Sequence, residues 1–258
     1  YIILCLGENS YCEKPGDLND LYLNDLQTEL AQEMLKLGKK VILVLSEGRP
    51  RLISKFSSKV DGIVQTYLPG IYGADALADI LAGDVNPSGK LPYTYPAYPN
   101  SLVPYFHKYS DEQVNTDAAY NYEGDYNFEY PFGYGLSYTT FAYSNIKLDK
   151  SQLPLNSNEE VTVSVDVKNT GSRDGKEVVQ LYTSDLVASL VPDVKRLRRF
   201  EKVALKAGET KTVTFKLKLN DLSFINLENK RVVEPGDFEF QVGSSSNDVK
   251  GKVLFTIK

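Results

Sequence analysis

Val41-Ile42-Leu43-Val44-Leu45 is an unbroken apolar run that passes directly into the polar segment Ser46-Glu47-Gly48-Arg49-Pro50. Five consecutive β-branched and leucine residues leave no wet face. That pattern belongs to a strand covered on both sides, as in a parallel sheet with helices above and below. A second run of the same kind, Ile2-Ile3-Leu4-Cys5-Leu6, opens the chain and passes into Gly7. Cys5, inside that run, is expected to be a buried core thiol. Between the two runs, Asn24 is a helix cap and Gln27, three residues on, completes a capping-box pattern. Leu26, Leu30, Met34 and Leu37 then recur at helical spacing up to Gly38, which predicts an amphipathic helix packed on the sheet. A short helical segment is expected over 52–56, a third strand over 61–67, and a second helix from Ala74 to Leu81 ended by Gly83. Tyr93-Thr94-Tyr95 reads as a last short strand. These elements alternate as strand and helix, so the first part of the chain is α/β.

From about Tyr138 the grammar changes. Val161, Val163, Val165 and Val167 alternate with Thr162, Ser164, Asp166 and Lys168, and the chain then turns at Asn169-Thr170-Gly171. One face of such a strand is buried and the other wet. The pattern returns around residues 178–182, 200–205, 211–219, 238–242 and 253–257, with turns at Lys206-Ala207-Gly208-Glu209 and Glu234-Pro235-Gly236-Asp237. Short alternating strands without helices between them predict a β-sandwich of the immunoglobulin or fibronectin type III kind. The expected organisation is an α/β sandwich domain with a mostly parallel sheet over 1–107, a Tyr-rich connecting segment over 108–137, and a fibronectin type III-like domain over 138–258. The basic cluster Lys195-Arg196-Leu197-Arg198-Arg199 reads as an exposed strand edge that discourages aggregation.

Composition narrows the function. The net charge of −5, with both signs mixed along the 258 residues, leaves no basic stripe to neutralise phosphates, so nucleic acid is not an expected partner. No run approaches the roughly 18 apolar residues of a membrane-spanning helix. Two cysteines, Cys5 and Cys12, make neither a disulfide framework nor a zinc site, and no cofactor or metal is expected. The single histidine, His107, gives a Ser-His-Asp triad little material and is expected to be structural. The chain opens with Tyr1-Ile2-Ile3 inside a core strand, from which it is expected to be the carboxyl-terminal part of a longer polypeptide.

The loop Gly7-Glu8-Asn9-Ser10-Tyr11-Cys12-Glu13-Lys14-Pro15-Gly16-Asp17 leaves the carboxyl end of the first strand, where open α/β sheets place ligands. Glu8 and Glu13 are its acid–base material, because a carboxyl group in a partly dry cleft can hold a proton and deliver it. Cleavage of a glycosidic bond requires a second carboxylate, about 5 to 5.5 Å away in a retaining mechanism and farther in an inverting one. The sequence assigns that second group to no residue of this chain; Glu8 and Glu13 could in principle be the pair, but a flexible five-residue separation on one loop would hold their distance poorly.

Five motifs in order, Gly7-Glu8 through Gly16-Asp17, Ser46-Glu47-Gly48-Arg49-Pro50, Tyr67-Leu68-Pro69-Gly70, the run from Ala78 to Pro92 and the run from Tyr130 to Thr139, resemble the carboxyl-terminal half of the family 3 glycoside hydrolases, the β-glucosidase family. The likeness extends through Asn169-Thr170-Gly171 and the run from Glu177 to Tyr182. It implies a retaining, exo-acting β-glycosidase that removes terminal β-linked sugars from oligosaccharides and is secreted or periplasmic. It also implies a nucleophilic aspartate on an amino-terminal barrel domain absent from these residues, and a fragment inactive alone. In relatives with a loop of this form the general acid/base resembles Glu13, and Glu8 is placed to support the loop. The Tyr-rich stretch offers Tyr120, Tyr122, Tyr126 and Tyr130 as sugar contacts or as packing. Two other readings stand beside this one: a non-catalytic carbohydrate-binding or scaffold protein, and a nucleotide-binding α/β domain, against which the first loop lacks a glycine-rich phosphate fingerprint.

Overall fold

A computed structural model describes residues 1–101, 104–109 and 126–258. The first unit is built on three parallel strands in the order β1 (Ile2–Gly7), β2 (Val41–Ser46) and β3 (Gly62–Gln65), with Ile2 opposite Val41 and Ile42 opposite Gly62. Helix α1 (Asp25–Lys36) joins β1 to β2, and α2 (Gly73–Ala82) follows β3. The register puts Leu4 and Leu6 beside Leu43 and Leu45, and all four are buried. On the other face Val44 is covered but its neighbour Cys5 is exposed and Ile3 is 54% exposed. Cys5 is therefore not the core thiol expected from its run: it alternates outward with Ile3.

Helix α1 departs from its expected face in the same way. Thr28 and Ala31 are its buried residues, whereas Leu26 and Leu30 are 77% and 45% exposed. A 3.6-residue period locates a stripe but does not say which stripe meets the sheet, and here the small residues do because they allow close approach. The cap at Asn24 forms as expected, its Oδ1 accepting from the Gln27 amide at 2.9 Å. The Gln27 side chain does not close a capping box. It bonds the Gly7 backbone instead, Gly7 N–H to Oε1 at 2.9 Å and Nε2–H to the Gly7 carbonyl at 3.0 Å. Gly38 after α1 (φ 62°) and Gly83 after α2 (φ 85°) take the left-handed conformation that stops a helix. Residues 52–56 are not helical: Leu52 forms a parallel bridge to Tyr22, and a 3₁₀ turn follows at Ser57–Lys59. The expected strand at 93–95 is shorter and starts two residues later, as β4 (Tyr95–Pro96), paired with β5 (Phe128–Tyr130).

The second unit is the sandwich. One sheet has the order β10 (Arg196–Leu205), β9 (Gly175–Asp185), β14 (Gly236–Gly243), β15 (Val249–Ile257) and β7 (Gln152–Leu153). The other has β11 (Thr210–Lys218), β8 (Glu160–Asn169) and β6 (Phe141–Leu148); a small hairpin, β12 (Phe224–Ile225) with β13 (Arg231–Val232), lies between β11 and β14 in sequence. The four alternating valines of β8 share one core with Phe215, Phe240 and Phe255, as the period-two pattern requires. Asn169, at the end of β8, is wholly buried with both amide ends satisfied. Its Oδ1 accepts from Thr139 Oγ1 (2.6 Å) and the Gly171 amide (3.1 Å), and its Nδ2 donates to the carbonyls of Arg173 and Leu205. The basic cluster opens β10, an edge strand as expected, but of its residues only Arg196 is exposed and the others are half-buried.

The chain passes between the units more than once: 95–101 and 127–130 belong to the first, and 86–94 and 104–109 to the second. Lys90 belongs to the sandwich because its ammonium donates to the Gly135 carbonyl (2.7 Å) and lies 3.5 Å from buried Glu177, which also accepts from Tyr143 (2.9 Å). Gly133 lies so close to Gln180 that a Cβ there would fall 2.2 Å from Oε1. His107 is buried with Nδ1 against the Pro104 carbonyl (2.9 Å) and its ring stacked on Tyr126 at 3.7 Å, which is a structural role. Tyr130 packs edge-on against Tyr95, and Tyr120 and Tyr122 lie outside the described residues.

Candidate active-site loop

The loop from β1 is rooted beside the end of β2. The last register pair of the two strands is Gly7 with Ser46, and a Cβ on Gly7 would fall 1.9 Å from the Ser46 carbonyl oxygen. Gly7 is therefore demanded by close backbone approach. One residue on, Glu8 turns back into the segment that follows β2. Its Oε2 accepts the amides of Gly48 and Arg49, both at 3.1 Å, and the Tyr11 hydroxyl at 3.2 Å. Its Oε1 meets Arg49 Nε at 3.0 Å and Nη2 at 2.9 Å, with Arg51 Nη1 at 3.6 Å. The Glu8 side chain is 5% exposed. Burial pushes its carboxyl up, but the Arg49 amide and guanidinium together with the Gly48 amide outweigh that and hold it below the ordinary carboxylate range. Glu8 is a carboxylate at neutral pH and has no proton to give.

Arg49 extends the anchorage along the loop. It donates through Nη1 to the Gly16 carbonyl and lies 4.1 Å above the Tyr11 ring. The far side of the loop closes as a 3₁₀ turn, Lys14–Gly16, with the Gly16 amide on the Glu13 carbonyl (2.9 Å) and the Asp17 amide on that of Lys14 (2.9 Å).

Glu13 is the opposite of Glu8. It is exposed, and among the described residues its side chain enters no hydrogen bond or ion pair. Its backbone has φ 52° and ψ −137°, a conformation costly for a residue with a Cβ, on the order of 1–3 kcal/mol, and kept only where the surroundings impose it. A cavity of about 270 Å³ under the loop is lined by Glu8, Tyr11, Gln27, Arg49 and Arg51 and does not include Glu13. The structure thus separates the two acids, one caged at the root and one presented outward from the crest.

Sequence reasoning did not single out Glu47. It is wholly buried, Oε1 lies 3.0 Å from the Tyr95 hydroxyl and 3.3 Å from Gln65 Nε2, and Oε2 has no hydrogen-bond partner among the described residues. Burial pushes its carboxyl up to about 7; the Tyr95 hydroxyl, the Arg51 backbone and the Gln65 amide pull it down, and the nearby Glu8 carboxylate pushes it up further. The available signal was its position directly after a strand buried on both faces, in register with the end of β1. No group of three or more metal-ligating side chains occurs among the described residues.

Residues 1–138 match the family model described as the glycosyl hydrolase family 3 C-terminal domain, and residues 177–246 match a fibronectin type III-like domain. The chain belongs to glycosyl hydrolase family 3. A β-xylosidase of Formosa agariphila is 40% identical over 100% of this chain and 35% of its own length, and a periplasmic β-glucosidase of Salmonella typhimurium is 37% identical over 96% of this chain and 33% of its own. The crystal structure of the β-glucosidase from Listeria innocua in complex with glucose superposes with a TM-score of 0.89 at 35% identity, covering 99% of this chain and 36% of that one. The chain spans about a third of the length of the relatives it matches. Membership of family 3 gives the two expected folds in the expected order along the chain, and it leaves no place for the nucleotide-binding reading of the first loop.

Proposed function

We propose that these residues form the proton-donor side of a retaining, exo-acting β-glycosidase that hydrolyses terminal β-linked sugars of oligosaccharides, with Glu13 as general acid/base and Glu8 as the residue that fixes its loop. The observation that carries the reading is the division between the two acids. Glu8 is bound by two amides and two arginines and is spent on anchorage, whereas Glu13, with no side-chain partner among the described residues, sits on a strained turn whose root is tied down by those bonds. A proton donor needs that arrangement: a carboxyl free to reach the glycosidic oxygen, on a backbone that returns it to the same place each cycle. The nucleophile is an aspartate of an amino-terminal barrel domain of the same polypeptide, and the two domains share the sugar site. Glucosides and xylosides are the candidate substrates, supported by the names of the relatives, and the periplasmic relative supports an extracytoplasmic location. Among the described residues no helix is long and apolar enough to cross a membrane.

The test is leaving-group dependence in the parent enzyme. Glu13→Gln should slow a glycoside with a poor leaving group by about 10²-fold or more while sparing an activated aryl glycoside, because only the former needs a proton in the transition state. Equal losses on both would remove Glu13 from the donor role. Turnover of an aryl β-glucoside by the 258 residues alone would remove the shared site.

A further inference from the structure

We propose that Glu47 works as a neutral carboxylic acid that positions the Gly48–Arg51 segment, and through it the Glu8 cage at the root of the Glu13 loop. The consequence for the loop rests on the reading of Glu13 given above; the assignment of Glu47 does not.

The Tyr95 hydroxyl lies 2.6 Å from the Arg51 carbonyl oxygen and 3.0 Å from Glu47 Oε1. It carries one hydrogen and, among the described residues, faces these two acceptors, and Glu47 Oε1 also accepts from Gln65 Nε2 at 3.3 Å. The closer and straightforward bond is to the Arg51 carbonyl, so the contact with Glu47 is a hydrogen bond only if Glu47 supplies its own hydrogen, donating from Oε1 to Tyr95 Oη. Glu47 Oε2, buried and without a partner, fits the same state: an unpartnered carbonyl oxygen costs far less to bury than half of an ionised carboxylate. The chain then runs from Glu47 to Tyr95 to Arg51, while the Glu47 amide donates to the Tyr67 carbonyl at 3.1 Å. Three of the four residues that follow Glu47, namely Gly48, Arg49 and Arg51, have a task at Glu8. Gly48 and Arg49 give it their amides, and Arg49 and Arg51 their guanidinium groups. Ionisable groups on the surrounding elements are Glu8 at the end of β1, Tyr67 after β3, Tyr95 on β4, and Arg49 and Arg51 on the segment itself. Loss of the Glu47 proton to solvent forces the Tyr95 hydroxyl to choose between two acceptors, and places a second negative charge near Glu8.

The experiment uses the 258-residue chain with ¹³C-labelled glutamate, together with Glu47→Gln, Glu47→Ala and Tyr95→Phe. The Glu47 carboxyl signal is expected to titrate with a midpoint near 7. Exchange of the Gly48 and Arg49 amides, corrected for its intrinsic pH dependence, should be equally slow in the native chain and Glu47→Gln near pH 6. Near pH 8 the native chain should lose roughly tenfold in protection and Glu47→Gln should not. The glutamine keeps a donor and an acceptor and cannot ionise, so it tells a neutral positioning acid from mere bulk. Should Glu47→Ala fail to fold, Tyr95→Phe, which removes the shared hydroxyl, is expected to show the loosened segment at both pH values. A midpoint in the ordinary carboxylate range, protection that does not change between the two pH values, or Glu47→Gln as loose near pH 6 as Glu47→Ala or Tyr95→Phe, would each overturn the proposal. None of these readouts involves turnover, so a failed role for Glu13 would show separately, in the leaving-group test.

Discussion

The two units bury their strands by different means. In the sandwich, two sheets supply each other's cover, and Val163, Val165, Phe240 and Phe255 are wholly buried. In the α/β unit a three-stranded sheet buries Leu4, Leu6, Leu43 and Leu45 on one face, while Ile3 and Cys5 on the other, and Leu26 and Leu30 on α1, are exposed. The sandwich is held by apolar area, which is local to alternating strands and insensitive to pH. The α/β unit relies more on polar groups brought together from distant segments, above all Glu8 with Gly48, Arg49 and Arg51. Its stability should therefore respond to charge and pH at these groups, whereas the sandwich core responds to volume and pH enters the sandwich through its own buried acids, Glu177 beside Lys90 and Asp185, whose carboxyl burial pushes up to about 6.

The largest effect is expected from Phe240→Ala, which leaves a cavity in the closed core of the sandwich and should cost about 3–5 kcal/mol. Urea unfolding followed by a probe in each unit should show the sandwich transition moving to lower urea; a loss below about 1 kcal/mol would mean the core is not closed as described. Glu8→Gln comes next, at about 2–3 kcal/mol, because it leaves Arg49 and Arg51 without the charge they enclose. The Glu8 carboxyl is held below its ordinary value when folded, so its contribution is present above the unfolded value and is lost as pH falls through the folded one. Melting of Glu8→Gln should lack that acid-side decline in the α/β unit. Glu47 has the opposite sign. Its folded value is raised to about 7, so its ionisation penalises the fold progressively as pH climbs from the ordinary carboxylate range to about 7. Glu47→Gln should flatten that neutral-side decline, and a native chain whose α/β melting is unchanged across that range would contradict the burial of this acid. The smallest effect belongs to Leu30→Lys on the exposed side of α1, within about ±0.5 kcal/mol. A large loss there would mean that this face of α1 is packed.

Much of the fold was legible because its causes are local. Alternating valines specify a half-buried strand wherever it pairs. Asn24, Gly38 and Gly83 end helices through bonds and dihedrals within a few residues. What local pattern could not supply was the choice of face. Leu26, Leu30, Met34 and Leu37 make a helical stripe, yet Ala31 and Thr28 turn inward, and Cys5 alternates outward from a run that reads as buried on both sides. Gln27 shows the same limit on a smaller scale, since its amide leaves the expected cap for the backbone of Gly7, twenty residues earlier.

At the candidate site the sequence by itself determined that two acids leave one strand end on a glycine-anchored loop, and that an arginine-bearing segment follows the neighbouring strand. The tertiary structure decided what each acid is. The in-register pairing of β1 with β2 carries Gly48 and Arg49 to within hydrogen-bond distance of Glu8 from some forty residues away, and it leaves Glu13 at the crest with no side-chain partner among the described residues. It also closes Glu47 under Tyr95, a partner supplied by β4. A carboxyl's charge state is set by the donors and the burial around it. Those come from whatever the fold brings near, and residue type and spacing along the chain do not contain them.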